Sequence, residues 1–345
     1  MTAAATQTPP HSPMVPTSMP DPVLAPVPRR HLWHVLRPWI IAFTAAWTVG
    51  FLHNRYIDQD EAWTIGLYRA KSAQLTALPG SHRVILVGGS GTHFGFDAAL
   101  LGETLGRPTY NAGLDAGLGI APICESVAHD VRPGDVLVLT PEFELLSGDG
   151  ATAYLAPTFG WATLRPGIGG GSVMERVQLA LLGGVPGLRS LMQSAKSLLS
   201  KRYSNDGYAV SSLDALGDPT IDPPSRARPT SLAVSLHPHI ARYLTAFVSR
   251  MRASQVRVII ALPWRLVSDR EASIQDVRAL RTQLEAIAPV IANAETLNLS
   301  SDRESFTDTK YHLTKAARIR RSIEMAVLLR PLLTTLDPTA TEVSP

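Results

Sequence analysis

The chain is poor in cysteine and carries little excess charge. Its 345 residues include a single cysteine, Cys124, which excludes an intrachain disulfide and a cysteine-rich metal site. The formal net charge is +3, and no dense lysine and arginine stripe is interleaved with aromatic residues, which argues against nucleic-acid binding. Hydrophobic residues make up 45% of the chain. This composition is typical of one globular domain with appendages.

The N-terminal region lacks the large apolar side chains that a core requires. Residues 1–31 are rich in Pro, Ala, Thr and Ser, so we expect a disordered tail. From Pro38 to Leu52 no residue is charged. Extended to residues 32–53, with Arg37 reaching the headgroups, the segment attains the roughly 20 residues that a bilayer core of about 30 Å requires. We therefore predict one transmembrane helix at 32–53.

The charges that flank this segment predict its orientation. Arg29, Arg30 and Arg37 precede the apolar run, which favours a cytoplasmic N-terminus and a periplasmic main domain anchored in the inner membrane. A cleaved signal peptide is a competing interpretation, although the residues from His53 to Tyr56 lack the small-residue cleavage pattern. A buried core helix is a second alternative. We expect residues 54–79 to form a stalk or helix, and residues 336–345 to form a disordered tail.

The main domain, predicted at residues 80–335, contains apolar runs without polar alternation. Such runs are typical of strands covered on both faces. Three such runs are predicted as strands, Arg83–Val87, Val136–Thr140 and Val256–Ala261, and the short segment Pro108–Asn111 is predicted as a fourth strand. Because helical patterns separate them, we expect an α/β fold with a parallel sheet and right-handed crossovers.

Two features interrupt or end this alternation. Residues from about 147 to 236 are rich in Gly, Pro and Ser and predict an insertion with helices at 173–182 and 188–199. Its glycine run at 167–171 lacks the Lys-Ser/Thr of a phosphate loop, so we interpret it as a linker. Near the C-terminus, Leu313–Leu329 predicts a basic amphipathic helix that Pro331 should end.

The first strand runs into a glycine-rich turn around one serine, Ser90. Such a turn can hold a hydroxyl at the carboxyl edge of a sheet, where open α/β folds build their sites. Asp308 and His312 follow near the other end of the chain. A histidine that takes the serine proton, with a carboxylate that orients its ring, would activate Ser90. The three residues predict acyl-transfer chemistry with no metal or organic cofactor.

Structural interpretations of the same residues stay open. Ser90 can be a hydrogen-bonding turn residue, Asp308 an N-cap, and His312 an exposed residue at the start of a helix. We expect His93 to be a surface turn residue. The histidines at 237 and 239 lack carboxylates at ligand spacing, so zinc binding has little support.

The residues around Ser90 and Asp308–His312 resemble those of the SGNH, or GDSL-like, hydrolase superfamily, in a branch of membrane-anchored bacterial proteins. The likeness covers roughly residues 80–146 and 255–330 and implies a three-layer α/β/α sandwich with a flavodoxin-like parallel sheet. It assigns Ser90, His312 and Asp308 as the catalytic residues. It also implies that the N–H of Gly117, or of its neighbour Ala116, stabilises the oxyanion, with Asn111 as a further candidate donor.

The chain departs from this pattern after the third strand. Where the family has a Gly-x-Asn-Asp motif, this chain has Thr140-Pro141-Glu142-Phe143-Glu144, and a glutamate cannot donate a hydrogen bond unless it is protonated. Loss of one oxyanion donor costs about 100- to 1000-fold in turnover. Glu142 and Glu144 are instead candidates for binding sugar hydroxyls or for pairing with Arg83 or Arg107.

The resemblance implies an extracytoplasmic esterase or O-acyltransferase. The acyl group it implies is acetyl, and the implied substrate is an exopolysaccharide or cell-envelope glycan such as a cellulose-type polymer. Other polysaccharide synthesis or export proteins are the implied partners. Since fold alone does not dictate substrate, a non-catalytic glycan-binding or assembly subunit is the rival hypothesis. An esterase of lipids or small esters is the third.

Overall fold

The structure is a computed structural model that describes residues 29–56, 59–148, 192, 195, 212–223 and 226–334. Most of the predicted N-terminal tail, up to residue 28, lies outside the described residues, as does all of the tail at 336–345. The helices predicted at 173–182 and 188–199 and the glycine run at 167–171 also lie outside them, apart from residues 192 and 195.

Helices and strands alternate along the described part of the chain. The helices are α1 (Arg29–Tyr56), α2 (Gln59–Ala77), α3 (Ser90–His93), α4 (Ala98–Leu105), α5 (Ile120–Ala128), α6 (Phe143–Ser147), α7 (Pro238–Ala253), α8 (Arg270–Glu285) and α9 (Lys315–Thr334). The strands are β1 (Val84–Val87), β2 (Thr109–Asn111), β3 (Val136–Leu139), β4 (Arg257–Ala261), β5 (Arg265–Leu266), β6 (Val290–Ile291) and β7 (Leu299–Ser300). Short 3-10 turns lie at Ala116–Leu118 and Arg303–Ser305.

Helix α1 contains the predicted anchor. Of the described residues, those from 29 to 45 belong to one compact unit and those from 46 onward to a second. Within α1, the 21 residues Trp33–His53 have a mean hydropathy of 1.5 and are long and apolar enough to cross a membrane. Only 6% of this stretch is buried, which distinguishes it from the core helix of a soluble domain. The orientation of the helix in a membrane stays a prediction.

Five strands form one parallel sheet in the order β2-β1-β3-β4-β6. The predicted α/β class and parallel sheet are therefore confirmed, and the four predicted strands are correct to within one residue at each end. The order corresponds to the 2-1-3-4-5 arrangement of flavodoxin-like sheets. Because the winding direction reverses between β1 and β3, a crevice forms where these strands end, at the paired residues Val87 and Leu139.

Helices cover both faces of the sheet. Successive strand residues point to opposite faces, so Ile85 and Val87 join a buried cluster with α2, α5, α7 and α8. Val84 and Leu86 join another cluster with α4 and α9. These are the three layers of an α/β/α arrangement. Every residue of β1 and β3 is buried, which explains why their sequences are uninterrupted apolar runs.

Helix α2 lies where the stalk or helix was predicted, but it packs into the core of the domain. Ile65, Leu67, Tyr68 and Leu75 are buried in the cluster that also contains Ile85. They recur at helical spacing on one face. The domain core therefore begins before residue 80. The sequence pattern hid this because the polar Lys71 lies within the same buried stripe.

The C-terminal helix does not end at Pro331, contrary to prediction. Helix α9 continues to Thr334 with Pro331 inside it. An internal proline costs about 3 kcal/mol, and each large apolar side chain that is buried returns about 1.5–3 kcal/mol. Leu329 and Leu333, on either side of the proline, are both buried in the α9 cluster. Their burial offsets the backbone cost.

Candidate functional site

Ser90 begins the short helix α3 at the carboxyl end of β1, as predicted. Gly88, Gly89 and Gly91 are buried, whereas Ser90 is half-buried. Gly89 must be a glycine, because a Cβ there would lie 2.6 Å from both carboxylate oxygens of Glu142 and 2.7 Å from Ala116 Cα. The turn thus brings Ser90 to the crevice between β1 and β3, with Glu142 and Ala116 on either side of the preceding glycine.

Asp308 and His312 form a hydrogen-bonded pair. His312 Nδ1 lies 2.7 Å from Asp308 Oδ1. Burial raises the pKa of Asp308, but the hydrogen bond and charge attraction of His312 outweigh burial, and the pKa lies below its usual value. Only 1% of the His312 side chain is exposed, so the expectation of an exposed histidine opening a helix is wrong: α9 begins three residues later. With Nδ1 held by Asp308, Nε2 is the nitrogen for proton exchange.

The Ser90 turn and the Asp308–His312 loop are packed together, although 215 or more residues separate them in the sequence. The Leu313 N–H donates to Phe94 O over 3.1 Å. The rings of Phe94 and His312 have centroids 4.6 Å apart. A Cβ on Gly91 would lie 3.0 Å from Tyr311 Cβ. The predicted nucleophile and base therefore belong to contacting segments at the carboxyl edge of the sheet.

Glu142 lies beside Ser90 but contacts the backbone of the turn. Its Oε1 accepts the Gly91 N–H over 2.6 Å and its Oε2 accepts the Gly89 N–H over 3.2 Å. Burial raises the pKa of Glu142 to about 7, although these two hydrogen bonds act in the opposite direction; the nearby Asp115 raises it further. The carboxyl group is therefore close to half protonated at neutral pH.

The arginine partners proposed for the two glutamates do not match the observed contacts. Arg83 pairs with Asp135. Glu144 pairs with Lys310 over 2.6 Å and with Arg265 over 3.4 Å. Glu144 also accepts a hydrogen bond from the Tyr311 hydroxyl. Glu144 thus fixes the residue next to His312.

The loop proposed for the oxyanion lies beside the Ser90 turn, but its best candidate donor is already engaged. The Gly117 N–H donates to Asp115 Oδ1 over 2.6 Å. Ala116 packs against Gly89, as the approach of its Cα indicates. The oxyanion role of Gly117 and Ala116 stays a prediction, and for Gly117 it requires Asp115 to release the N–H.

Asn111 organises the backbone under the site. It is fully buried, and its side-chain nitrogen lies 3.1 Å from the carbonyl oxygens of Thr92 and His93 and 2.7 Å from Asp218 Oδ1. Its side-chain oxygen accepts the Gly113 N–H. These contacts satisfy the backbone of the surrounding loops and direct the amide of Asn111 away from the role of an oxyanion donor.

A buried cluster of charged residues beneath the turn was not predicted. Lys71 Nζ lies 3.0 Å from His93 Nδ1 and donates to Asn111 O over 2.9 Å. His93 is buried, so its assignment as a surface turn residue is wrong. Burial and the charge of Lys71 lower the pKa of His93. Burial also lowers the pKa of Lys71 and raises that of Asp218.

Only part of this cluster carries a sequence signal. Lys71 continues the spacing of the buried residues Leu67 and Leu75 by four residues, which places it on the inner face of α2. Asp218 belongs to the predicted insertion, where no periodicity indicates burial, yet its Oδ2 accepts the Ala98 N–H. The two residues meet through tertiary packing that a linear pattern does not encode.

Arg321 is a further buried charge next to the turn. Its Nη1 lies 3.4 Å from Gly91 O, and its guanidinium lies 4.0 Å from the centre of the Phe96 ring. Its Nε and Nη2 have no hydrogen-bond partner among the described residues. Burial lowers the pKa of Arg321 to about 9, against the attraction of Glu324 and Glu142.

Comparisons with known proteins add no relative. No family model, no curated protein and no solved structure matches the chain. In the part of the chain that the structure describes, no group of three or more His, Cys, Asp or Glu side chains could hold a metal ion.

Proposed function

We propose that this protein is a membrane-anchored serine esterase or O-acyltransferase. It removes or transfers a small acyl group on an exopolysaccharide or cell-envelope glycan, and acetyl is the group we propose. One observation carries the proposal: the Asp308–His312 pair packs against the turn that begins with Ser90, at the crevice between β1 and β3. This position and these residue types provide a nucleophile, a base and an orienting carboxylate.

In the proposed mechanism, Ser90 Oγ attacks the acyl carbon while its proton passes to His312 Nε2. The tetrahedral intermediate then releases the alcohol, which takes the proton from His312, and an acyl-Ser90 ester remains. Water in an esterase, or a glycan hydroxyl in a transferase, attacks this ester and gives its proton to His312, which returns it to Ser90. Asp308 holds the His312 ring throughout and stabilises the imidazolium.

Glu142 is our candidate for the missing amide donor. It occupies the chain position of the family's asparagine and lies within hydrogen-bonding distance of the turn. Protonated glutamic acid has an O–H donor, and a buried carboxylic acid that stays neutral can stabilise an oxyanion. The pKa of about 7 supports a substantial neutral fraction at physiological pH.

The glycan substrate and the location follow from the resemblance and from α1. Trp33–His53 provides a candidate membrane span, and Arg29, Arg30 and Arg37 favour a cytoplasmic N-terminus with the α/β domain in the periplasm. We propose polysaccharide synthesis or export proteins as neighbours in the inner membrane.

One observation favours the second candidate function, a non-catalytic glycan-binding or assembly subunit. Three backbone N–H groups near Ser90 are bound by the protein's own carboxylates: those of Gly89 and Gly91 by Glu142, and that of Gly117 by Asp115. A site that keeps these donors engaged cannot offer them to an oxyanion.

Hydrolysis of p-nitrophenyl acetate by the full-length protein in detergent distinguishes the two functions. We expect turnover by the wild type and its loss in Ser90→Ala and His312→Ala. Ser254→Ala and His129→Ala are matched controls, because both are exposed and lie at the opposite edge of the sheet, before β4 and β3. A wild type without turnover, or a Ser90→Ala variant as active as the wild type, would refute the catalytic proposal.

A further inference from the structure

A second cavity lies at the carboxyl edge of the same sheet. It has a volume of 690 Å³ and is bounded by residues that follow β4 and β6 and by the second and third turns of α9. We call it the Trp264 pocket. Its lining includes the indole of Trp264, the side chains of Thr296 and Ser301, the cation Arg270 and the carboxylate Glu324.

The indole is held in one orientation by polar contacts. Trp264 Nε1 donates to Glu324 Oε2 over 3.2 Å, and Asn293 Nδ2 donates to Glu324 Oε1 over 2.7 Å. Glu324 thus fastens the loop after β4 and the loop after β6 to α9. Trp264 itself is half-buried, so part of the ring remains accessible. A fixed and accessible aromatic ring is a preorganised contact surface.

A strained but well-anchored loop contributes another part of the lining. Leu297 and Asn298 have positive φ angles of 47° and 66°, which non-glycine residues rarely adopt. Asn298 compensates with hydrogen bonds, because its Nδ2 donates to Leu262 O over 2.6 Å and its Oδ1 accepts the Asn293 N–H over 3.0 Å. Backbone strain that the surrounding structure maintains is concentrated at ligand-binding sites.

The chemistry of the lining matches a neutral saccharide. Arg270 and Arg320 balance Asp302 and Glu324, so neither sign of charge dominates. The side-chain hydroxyls of Thr296, Ser300 and Ser301 can both donate and accept, as a ligand with many hydroxyl groups requires. The apolar C–H face of a sugar ring fits an indole. A phosphate would face two carboxylates as well as the two arginines, and a lipid chain would leave these four charges without partners.

The position of the pocket relative to Ser90 suggests what it contributes. Adjacent strands lie about 4.8 Å apart, so β4 and β6 are displaced from β1 by about 10–15 Å along the sheet edge. A short oligosaccharide spans this distance. We propose that the Trp264 pocket binds neutral sugar units of a glycan whose acyl-bearing unit lies at Ser90. The role of the pocket in positioning a substrate rests on the proposed function, whereas the binding of sugar units by the pocket does not.

The binding is tested by isothermal titration calorimetry of the full-length protein in a detergent without a sugar headgroup, since a maltoside could itself fill the pocket. The probes are cellotetraose, mannotetraose, xylotetraose and chitotetraose. We expect at least one to bind, Trp264→Ala to weaken it at least ten-fold, and Trp264→Phe to weaken it less. Trp39→Ala, at a tryptophan that is 72% exposed in α1, is the matched control and should bind as the wild type does.

A second variant covers the case in which Trp264→Ala fails to fold. Ser301 is exposed at the rim, so Ser301→Trp should fill the cavity without removing any described contact of Trp264, and it should also abolish binding. If none of the four tetrasaccharides binds the wild type, or if Ser301→Trp and a folded Trp264→Ala bind normally, the inference is overturned.

The two proposals fail in different ways. Ser90→Ala should lose p-nitrophenyl acetate turnover and keep tetrasaccharide binding, whereas Ser301→Trp should lose tetrasaccharide binding. Binding by a wild type that has no esterase activity supports the subsite and removes the catalytic proposal. Esterase activity without tetrasaccharide binding supports the catalytic proposal and removes the subsite.

Discussion

Arg83 and Arg321 are both buried arginines of the α/β domain, yet their surroundings are opposite. Arg83 precedes β1, at the amino edge of the sheet, and pairs with Asp135 over 2.6 Å, with neither side chain exposed. Its guanidinium also donates to the carbonyls of Leu75 and Asp130. Among the described residues, Arg321, beside the Ser90 turn, has one hydrogen-bond contact, at 3.4 Å from the carbonyl oxygen of Gly91, and its guanidinium lies over the Phe96 ring.

The difference extends to the other charges of the two edges. Asp135 accepts the backbone N–H groups of Arg83 and Arg132 in addition to its ion pair. At the carboxyl edge, burial shifts the pKa of Glu142 and of Arg321 toward neutrality. Satisfied buried charges stabilise a fold, whereas perturbed ones are concentrated where chemistry or binding takes place. The comparison therefore favours the carboxyl edge as the place of the proposed site, independently of any motif.

The largest expected effect separates chemistry from stability. Asp308→Asn should lower kcat for p-nitrophenyl acetate about 10⁴-fold, because the amide stabilises the wrong His312 tautomer. The free energy of unfolding should change little, since Asp308 is 25% exposed. Steady-state kinetics and urea unfolding measure the two quantities. A kcat within ten-fold of the wild type would contradict the role of Asp308 as the carboxylate that orients His312.

At the amino edge of the sheet, a substitution should lower stability and leave turnover unchanged. Arg83→Met leaves the Asp135 carboxylate buried without its ion-pair partner, so the free energy of unfolding should fall by about 3–5 kcal/mol. Turnover per folded molecule should not change. Urea unfolding followed by circular dichroism gives the first value, and activity at 10 °C corrected for the folded fraction gives the second. A loss of less than 1 kcal/mol in the free energy of unfolding would contradict the proposed difference in stability between the two edges of the sheet.

Glu142 should make stability depend on pH. Its folded pKa is about 7, above the ordinary value of 4.5, so the native state holds the proton more tightly than the unfolded chain. The stabilisation that results from this raised pKa is fully present below about pH 4.5 and is lost as the pH rises through about 7. The free energy of unfolding then changes by about 3 kcal/mol. Glu142→Gln should lack this slope, while titrating groups that do not interact with Glu142 cancel in the difference between the two proteins. Urea unfolding at pH 5, 6, 7 and 8 tests it, and parallel curves for the two proteins would contradict it.

The smallest effect is expected at Arg321. Arg321→Met removes a buried charge that has no carboxylate hydrogen-bonded to it in the described structure, so the gain from avoiding its desolvation opposes the loss of the contact with Phe96. The free energy of unfolding should change by no more than about 1–2 kcal/mol, less than for Arg83→Met. The same urea titration compares the two. A larger loss at Arg321 would indicate that it stabilises the Ser90 turn.

Much of this arrangement could be predicted because it depends on local pattern. The strand that precedes Ser90 is an uninterrupted apolar run, and parallel topology places its end at the carboxyl edge of the sheet. The Asp308–His312 loop was expected beside Ser90 from residue types, because a serine nucleophile requires a base and an orienting carboxylate. The cap of α4 is local in the same way, because Asp97 is a residue type that favours this position and its side chain accepts the Leu100 N–H.

The remainder depends on contacts between distant segments. Strands β5, β6 and β7 contain two residues each, too few to show a period, and exist through their pairing with partners. Glu142 reads as an ordinary polar residue after a strand, and only packing reveals that it binds the turn. The same holds for Trp264 and Glu324, which are 60 residues apart.

The most direct test of the central claim is covalent labelling of the full-length protein with a fluorophosphonate, followed by peptide mass spectrometry. A serine activated by His312 should carry the phosphonyl adduct at Ser90, and the adduct should be absent in Ser90→Ala and strongly reduced in His312→Ala. An unlabelled wild type, or a label that persists in Ser90→Ala, would contradict the account.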